Sequence, residues 1–165
     1  MSVTAAKGFV ASGVHCGIRK TRNDLALVRS TAPATGAAMF TVNRMQAAPV
    51  VLSKQHLEHA QPQAVVVNSG NANAATGEQG MRDAQATAAA TARLLGLAEA
   101  QVLVLSTGVI GVALPVDQLL GGLGAAVDGL SPDGGPAAAE AILTTDTCAK
   151  EAVAHGEGFV VGGMA

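Results

Sequence analysis

Aromatic residues are almost absent from this sequence, which contains three phenylalanines and neither tyrosine nor tryptophan among its 165 residues. Proteins that bind single-stranded nucleic acid stack bases on aromatic side chains, so this composition excludes a stacking platform. Charge is also scarce, because Asp, Glu, Lys and Arg together make up 13% of the chain and the net charge is -2. With no basic surface to neutralise phosphates, we expect no nucleic acid partner.

Long hydrophobic runs and closely spaced cysteines are missing as well. Glycine and polar residues interrupt residues 1–20, where a secretory signal needs an apolar stretch, and no run is long enough for a transmembrane helix. Cys16 and Cys148 lie outside any CxxC spacing, which is typical of a reduced, cytoplasmic chain. Hydrophobic residues make up 49% of the chain, enough for one compact aliphatic domain over 1–165 or for half of a larger one.

Apolar patterning predicts a mixed α/β, layered fold with two successive strand-loop-helix units. Strands are predicted over 24–30, 36–41, 64–67, 102–105 and 158–161, with a further extended piece at 50–52. Helices are predicted after Ser53 over 54–59, after Thr76 as far as Gly96, from Pro115 to Val127, and over 137–143. Thr76 and Gln79 have the spacing of a capping box, and Pro115 suits the start of a helix.

A cluster of amides follows the strand predicted at 64–67. Residues 68–73 contain three asparagines, a serine and a glycine. These are ordinary turn residues, which tolerate unusual backbone angles. An array of neutral amides could equally orient a polar substrate without imposing charge. For Asn68 and Asn71 the structural interpretation is favoured.

Ser106, Thr107 and Gly108 follow an unbroken apolar strand, and no charged residue lies nearby. This segment lacks the lysine and the glycine spacing of a phosphate-binding P-loop, and no GxGxxG pattern follows it. A glycine lets a ligand approach the backbone N–H, and a threonine hydroxyl lies beside it, so the pair is typical of an oxyanion hole. The alternative is a tight turn into the helix that begins at Pro115.

The remaining polar clusters give weaker indications. Residues 144–147, Thr-Thr-Asp-Thr, suit a helix cap and hydrogen bonds to a substrate equally well. His56 and His59 have the spacing of metal ligands on a helix but lack further ligands, so a solvated helix face is favoured. His15 and Cys16 are neighbours on an extended segment and should point apart. We therefore expect no metal and no cofactor, and we find no complete pair of nucleophile and base.

Several stretches, taken together and in order, resemble one known family: the glutamate N-acetyltransferases, also called ornithine acetyltransferases, of cyclic arginine biosynthesis. They are GF at 8–9, DLAL at 24–27, MFTVNRMQAAPV at 39–50, NSGNANAATG at 68–77, STGVIG at 106–111, TTDT at 144–147 and VGGMA at 161–165. The resemblance implies an N-terminal-nucleophile type acetyltransferase fold, in which this chain is the α chain. A separate β chain, released by self-cleavage and beginning with a nucleophilic threonine, would complete that fold.

The resemblance also implies residue roles and partners. Thr107 and Gly108 match the oxyanion hole of the family, and Thr144 matches a substrate-contacting threonine, with Thr145 as the alternative one position away. The β-chain threonine, with its own amine as base, would take acetyl from N-acetylornithine and pass it to glutamate. Some family members also use acetyl-CoA. We expect a heterotetramer of two α and two β chains. This sequence ends in Gly162–Ala165, and we expect both kinds of chain to be cut from a longer precursor.

Two other functions are consistent with the same residues. A self-processing N-terminal-nucleophile aminopeptidase or amidohydrolase would pass the acyl group to water instead of to glutamate. A non-catalytic α/β module would use the 106–111 segment to bind a small metabolite or phosphate, and it would fold without a partner. Acetylornithine supplied with and without glutamate separates the first of these from the acetyltransferase.

Overall fold

The computed structural model describes residues 2–165, which form a mixed α/β structure with two sheets, as the patterning predicts. The strands are β1 (Phe9–Val14), β2 (Leu25–Ser30), β3 (Ala64–Asn71), β4 (Val102–Val109), β5 (Glu151–Gly156) and β6 (Phe159–Met164). The helices are α1 (Ala48–His59), α2 (Gly77–Leu95), α3 (Val116–Asp128) and α4 (Gly135–Ala141), with a 3-10 turn at Glu99–Gln101. None of the helices within these residues is both long and apolar enough to span a membrane.

The larger sheet has the strand order β1-β2-β3-β4, and β5 pairs with β6 in a separate antiparallel hairpin. β1, β2 and β3 are antiparallel neighbours, whereas β3 and β4 run parallel and are joined through helix α2. Parallel strands need such a crossover connection. The parallel register places Ala64 opposite Val102 and Gly70 opposite Gly108. The carboxyl ends of β3 and β4 therefore lie side by side, which is where the polar segments at 68–73 and 106–108 meet.

The two faces of this sheet pack against different helices. Alternate side chains, such as Leu25, Leu27 and Val66, enter a core formed with α2 and α3. On the opposite face, Ala26 and Val67 pack with small side chains of α4, and α4 covers β1 and β2. This face of the sheet, which we call the α4 face, is open over β3 and β4, where it forms the floor of a cleft. The fold thus leaves sheet surface exposed beside the carboxyl end of β4.

Helix α2 matches its prediction in extent but differs at its start. Its buried alanines allow close packing on the sheet, and the helix ends at Gly96, whose φ of 67° is the left-handed conformation that glycine favours. The capping box is wrong: the Thr76 hydroxyl donates to Asn73 Oδ1 at 2.7 Å, and Gln79 Nε2 donates to Asp83 at 2.7 Å. Thr76 belongs to the asparagine cluster, because its hydroxyl bonds Asn73 and caps no helix amide.

Helix α1 replaces the extended piece predicted at 50–52 and the cap predicted at Ser53. The helix begins at Ala48 with Pro49 in its first turn, and Ser53 lies within it. The Ser53 hydroxyl accepts a hydrogen bond from Val104 N at 2.9 Å and donates to Val104 O at 2.8 Å. These contacts satisfy backbone groups on the outer edge of β4. Tertiary packing therefore outweighs the β propensity of Val50 and its neighbours.

Two further sequence predictions differ from the structure. Residues 36–41 form no strand, because no neighbouring strand pairs with them and the Gly36 N–H bonds the Gln61 side chain at 2.9 Å instead. Residues 106–109, predicted as a loop, continue strand β4 as far as Val109. Thr107 and Gly108 therefore lie on a strand paired with β3, which excludes the simple tight turn considered as the alternative.

Candidate active site

Two clefts meet at the carboxyl end of β4. The first, which we call the threonine cleft, has a volume of about 700 Å³ and is lined by Ile18, Arg19, Lys20, Gly70, Thr107, Gly108, Val109, Thr144 and Thr145. The second, the apolar cleft on the α4 face, has a volume of about 580 Å³. Its lining includes Leu103, Leu105, Thr107, Thr144 and Asp146, together with residues 38–41. Thr107 and Thr144 line both clefts and so mark their junction.

Strand β4 presents Thr107 and Gly108 in different directions. A strand directs successive backbone N–H groups to opposite edges and successive side chains to opposite faces. Val104 directs its N–H to Ser53 on the outer edge, whereas Val109 accepts from Ala72 on the β3 side. By this alternation, the N–H of Gly108 is directed to the outer edge, beyond the part that α1 covers. The half-buried Thr107 side chain lies on the α4 face, where the apolar cleft opens.

Glycine is required at 108 by the neighbouring strand. Its φ is 135°, a backbone angle that L residues rarely adopt. A Cβ at this position would lie 2.4 Å from the Gly70 carbonyl carbon. Gly70 is also glycine with a positive φ, 99°, and pairs with Gly108 across the strands. The sequence interpretation assigned Gly108 to the approach of a ligand. The structure adds a packing reason: β3 and β4 come too close together here for any side chain.

Thr144 reaches the same place from the segment that follows helix α4. Helix α4 ends at Ala141, Leu143 is buried at 7% exposure, and Thr144 follows it into the junction of the clefts. Thr145 is exposed and lines only the threonine cleft, not the apolar cleft. The structure thus brings Thr107, Gly108 and Thr144 together, although they lie up to 37 residues apart in sequence.

The asparagine cluster is engaged with the main chain. Asn68 Nδ2 donates to Asn71 O at 2.8 Å, and the Ser106 hydroxyl donates to Asn68 Oδ1 at 2.6 Å. Asn71 Nδ2 bonds the carbonyls of Val112 and Ala113, both at 3.1 Å. These amides are buried and hold the end of β3 to the segment after β4, which agrees with the structural interpretation favoured for Asn68 and Asn71.

A buried carboxylate organises the loop between β1 and β2. Asp24 is fully buried and accepts the N–H of Cys16 at 2.6 Å and that of Arg19 at 2.7 Å. Burial, together with a hydrogen bond and the negative charge of Asp24, raises the pKa of the Cys16 thiol from 9.0 to about 12. The thiol is therefore un-ionised near neutral pH and does not serve as a nucleophile. His15 Nδ1 lies 4.0 Å from Asp24 Oδ2.

The histidine pair on α1 is divided between core and solvent. His56 is buried, and its Nδ1 lies 2.7 Å from Val102 O, so the solvated face favoured for this residue is wrong. His59 is exposed and bonds Gln55 O of its own helix at 2.7 Å. Packing against β4 turns one imidazole inward, because α1 lies along that strand. Within residues 2–165, no three His, Cys, Asp or Glu side chains lie together in a way that could bind a metal.

Sequence reasoning missed Arg19, Lys20 and Gly70 as parts of the site. Arg19 and Lys20 are the charged side chains of the threonine cleft, and they come from the loop that Asp24 holds. Their only sequence signal is a Gly-Ile-Arg-Lys stretch between two strands.

Asp146, which lines the apolar cleft, is paired with Lys150. The exposed Lys150 ammonium lowers the pKa of the Asp146 carboxyl through a 2.5 Å hydrogen bond.

The model of the ArgJ family matches residues 10–165 of this chain, almost its entire length. The chain belongs to the ArgJ family. Its ArgJ relative from Streptomyces coelicolor, named arginine biosynthesis bifunctional protein ArgJ, is 53% identical over 167 residues, covering 100% of this chain and 44% of the relative. The protein of the same name from Caldanaerobacter subterraneus is 51% identical over 144 residues, covering 87% and 36% respectively. This chain therefore spans less than half the length of these ArgJ relatives.

Two crystal structures in the ArgJ family share this fold. The arginine biosynthesis bifunctional protein ArgJ of Bacillus halodurans is 40% identical with a TM-score of 0.90, covering 100% of this chain and 89% of that chain. Ornithine acetyltransferase of Mycobacterium tuberculosis, complexed with ornithine, is 43% identical with a TM-score of 0.96, covering 99% and 90% respectively. At these identities, the likeness extends to the arrangement of strands and helices throughout the chain.

Proposed function

We propose that this chain is the α chain of a glutamate N-acetyltransferase, which transfers acetyl from N-acetylornithine to glutamate in arginine biosynthesis. The observation that carries the proposal is the meeting of Thr107, Gly108 and Thr144 at the end of β4. The relatives named arginine biosynthesis bifunctional protein ArgJ and the ornithine acetyltransferase structure point to the same chemistry.

In the proposed reaction, this chain stabilises charge and the β chain supplies the nucleophile. The hydroxyl of the β chain's N-terminal threonine attacks the acetyl carbonyl of N-acetylornithine, and the threonine amine accepts the proton. The Thr107 hydroxyl and the outward N–H of Gly108 donate hydrogen bonds to the oxygen that becomes negative. The amide C–N bond then breaks, the nitrogen takes the proton, and ornithine leaves an acetyl ester on the β-chain threonine.

The second half of the reaction uses the same groups. The amine of glutamate attacks the acetyl ester, and the oxygen of the ester carbonyl again becomes negative beside Thr107 and Gly108. The threonine oxygen leaves and regains its proton, so N-acetylglutamate forms and the nucleophile is restored. Thr144 would donate a hydrogen bond to the bound amino acid, since its side chain lies where both clefts meet.

Partners and location follow from the same proposal. The β chain would cover the open sheet surface beside the site, where the apolar side chains Leu105, Val109 and Ile110 are 44%, 57% and 67% exposed. Two such αβ pairs would form a heterotetramer. The two cysteines are free rather than paired, which suits a cytoplasmic enzyme.

Intact mass spectrometry of the denatured protein, before and after N-acetylornithine is added, tests this function. A second chain that begins with threonine and gains one acetyl group, which glutamate then removes, is the expected result. An adduct that water removes equally fast without glutamate would indicate an amidohydrolase instead. A single chain that never gains an acetyl group would indicate a binding module and would end the enzyme assignment.

The oxyanion role is tested by Thr107→Ala. Loss of one oxyanion donor costs on the order of a hundredfold or more in the rate of transfer. The side chain is half-buried at the mouth of a cleft, so the thermal unfolding midpoint should change little. A Thr107→Ala protein that transfers acetyl at the normal rate would show that the hydroxyl has no part in catalysis.

A further inference from the structure

We propose that Arg19 is a positioning residue for the acetyl-transfer site, a role that rests on the proposed function. Its guanidinium holds the main chain immediately before Thr144, and its aliphatic stem supports Gly70 behind Gly108. Arg19 thus acts on both sides of the threonine cleft. It acts through these neighbours and forms no bond in the reaction itself.

The backbone of Arg19 is fixed by the buried Asp24. The carboxylate of Asp24 accepts the Arg19 N–H at 2.7 Å, and the Asp24 main chain is itself tied to both neighbouring strands. Its N–H donates to Val14 O of β1 at 3.0 Å, and its carbonyl accepts from Ser69 N of β3 at 2.9 Å. The loop therefore presents the Arg19 side chain from a rigid base, not from a mobile turn.

The stem of Arg19 packs directly on the glycine of β3. A Cβ at Gly70 would lie 2.9 Å from Arg19 Cγ and 3.0 Å from Ile18 Cγ2. On its other side, Gly70 pairs with Gly108 at a distance that excludes any side chain there. The Arg19 stem thus packs on Gly70, and Gly70 is paired with Gly108 in the same sheet. Removing the stem allows the backbone of the proposed oxyanion hole to shift.

The guanidinium makes the second contact. Nη1 of Arg19 donates a hydrogen bond to the carbonyl oxygen of Leu143, across 124 residues of sequence. Leu143 is buried, and the next residue is Thr144, so this bond fixes where the Thr144 side chain begins. Hydrogen bonds from a charged donor are stronger than neutral ones. The two contacts together set the distance between Thr144 and the end of β4.

Three substitutions separate these contacts. Arg19→Met keeps an aliphatic stem but removes the bond to Leu143, Arg19→Ala removes both, and Arg19→Lys keeps a cationic donor. Arg29→Met is the matched control, because Arg29 Nη2 also donates to a main-chain carbonyl, Leu95 O at 3.3 Å. Arg29 does not line the threonine cleft. All variants are measured in the assembled protein, with the α chain and its β chain together.

The two contacts predict different kinetic changes. Arg19→Met should raise the KM for N-acetylornithine about tenfold and change kcat less than about threefold, because Thr144 binds the ground state and the transition state alike. Arg19→Ala should in addition lower kcat about tenfold or more, because the Gly108 N–H is misplaced. Arg19→Lys should return KM to within about threefold of the parent protein. Arg29→Met should leave both parameters unchanged.

Hydrogen exchange of the 144–147 amides, measured by mass spectrometry on the same samples, gives a readout independent of turnover. Faster exchange there in Arg19→Met than in Arg29→Met, with the KM change above, supports the proposal. If the parent protein transfers acetyl but exchange and KM are equal in these two variants, the proposal is wrong. If the parent transfers no acetyl, the proposed function fails instead, and exchange alone decides whether Arg19 positions Thr144.

Discussion

Replacing Gly108 with alanine is the substitution for which the structure predicts the largest loss of stability among the glycines compared below. At φ 135° an L residue is strained, which costs about 1–2 kcal/mol. The new Cβ would also lie 2.4 Å from the Gly70 carbonyl carbon and 2.6 Å from Asn71 N. Both are backbone atoms that cannot rotate aside, so β3 and β4 must separate, at a further cost of about 1–3 kcal/mol. We expect Gly108→Ala to destabilise the protein by about 2–5 kcal/mol.

Two other glycines provide matched controls for the two parts of this estimate. Gly111 has a φ of 79° but no heavy atom within 4 Å of its missing Cβ, so Gly111→Ala isolates the backbone strain of about 1–2 kcal/mol. Gly124 lies within helix α3, also with nothing within 4 Å. Gly124→Ala should therefore stabilise the protein by about 0.5–1 kcal/mol, since alanine favours helix more than glycine does.

The assay is the thermal unfolding midpoint of the protein as purified, compared among the three variants. In a domain of this size, each kcal/mol shifts the midpoint by about 2–4 °C. The expected order, from most to least stable, is Gly124→Ala, parent, Gly111→Ala and Gly108→Ala. If Gly108→Ala unfolds no earlier than Gly111→Ala, the close approach of β3 and β4 is wrong. The packing reason given for Gly108 would then have to be withdrawn.

Four further predictions concern single side chains. Thr144→Ala should raise the KM for N-acetylornithine about tenfold while Thr145→Ala changes it little, and steady-state kinetics showing the reverse would assign the contact to Thr145. Asn71→Ala should cost about 2–3 kcal/mol in chemical denaturation, because the carbonyls of Val112 and Ala113 lose their donor and the buried Asn73 N–H loses its acceptor, and an unchanged midpoint would contradict this network. In the folded protein at pH 8, iodoacetamide should modify the exposed Cys148 well before Cys16, whose thiol is half-buried and un-ionised. The raised pKa of Cys16 stabilises the fold below pH 9, and this contribution is lost as the pH rises from 9 towards 12, so Cys16→Ser should flatten the stability profile in that range.

Much of the fold could be predicted because local patterns and tertiary packing agree over the longer elements. The alanine period and Gly96 define α2, and short apolar runs define β2 and the first halves of β3 and β4. Short segments were predicted less well. Residues 50–52 are apolar and include two β-branched valines, yet they are helical, because Ser53 and His56 of the same helix bond the outer edge of β4. Residues 36–41 are suited to a strand but have no strand beside them.

The candidate site divides in the same way. Thr107 and Gly108 could be selected from the sequence, because a hydroxyl and a glycine with no nearby charge have a recognisable chemistry after an apolar strand. Thr144 was selected only through the resemblance to a family, since residues 144–147 suit a helix cap equally well. Arg19 and Gly70 could not be selected, because their importance lies in contacts across the fold. Arg19 touches a carbonyl 124 residues away, and Gly70 matters only through its pairing with Gly108.

The sequence by itself determined the mixed α/β class, the aliphatic core and the residues with which a polar substrate could interact. It did so because periodicity and residue chemistry are local properties of the chain. Only the tertiary structure decided which way those residues face. The parallel pairing of β3 with β4 brings two glycines into contact, directs the Gly108 N–H to the outer edge and leaves Thr107 beside Thr144. Strand pairing and burial act between distant segments, and no local pattern fixes their geometry.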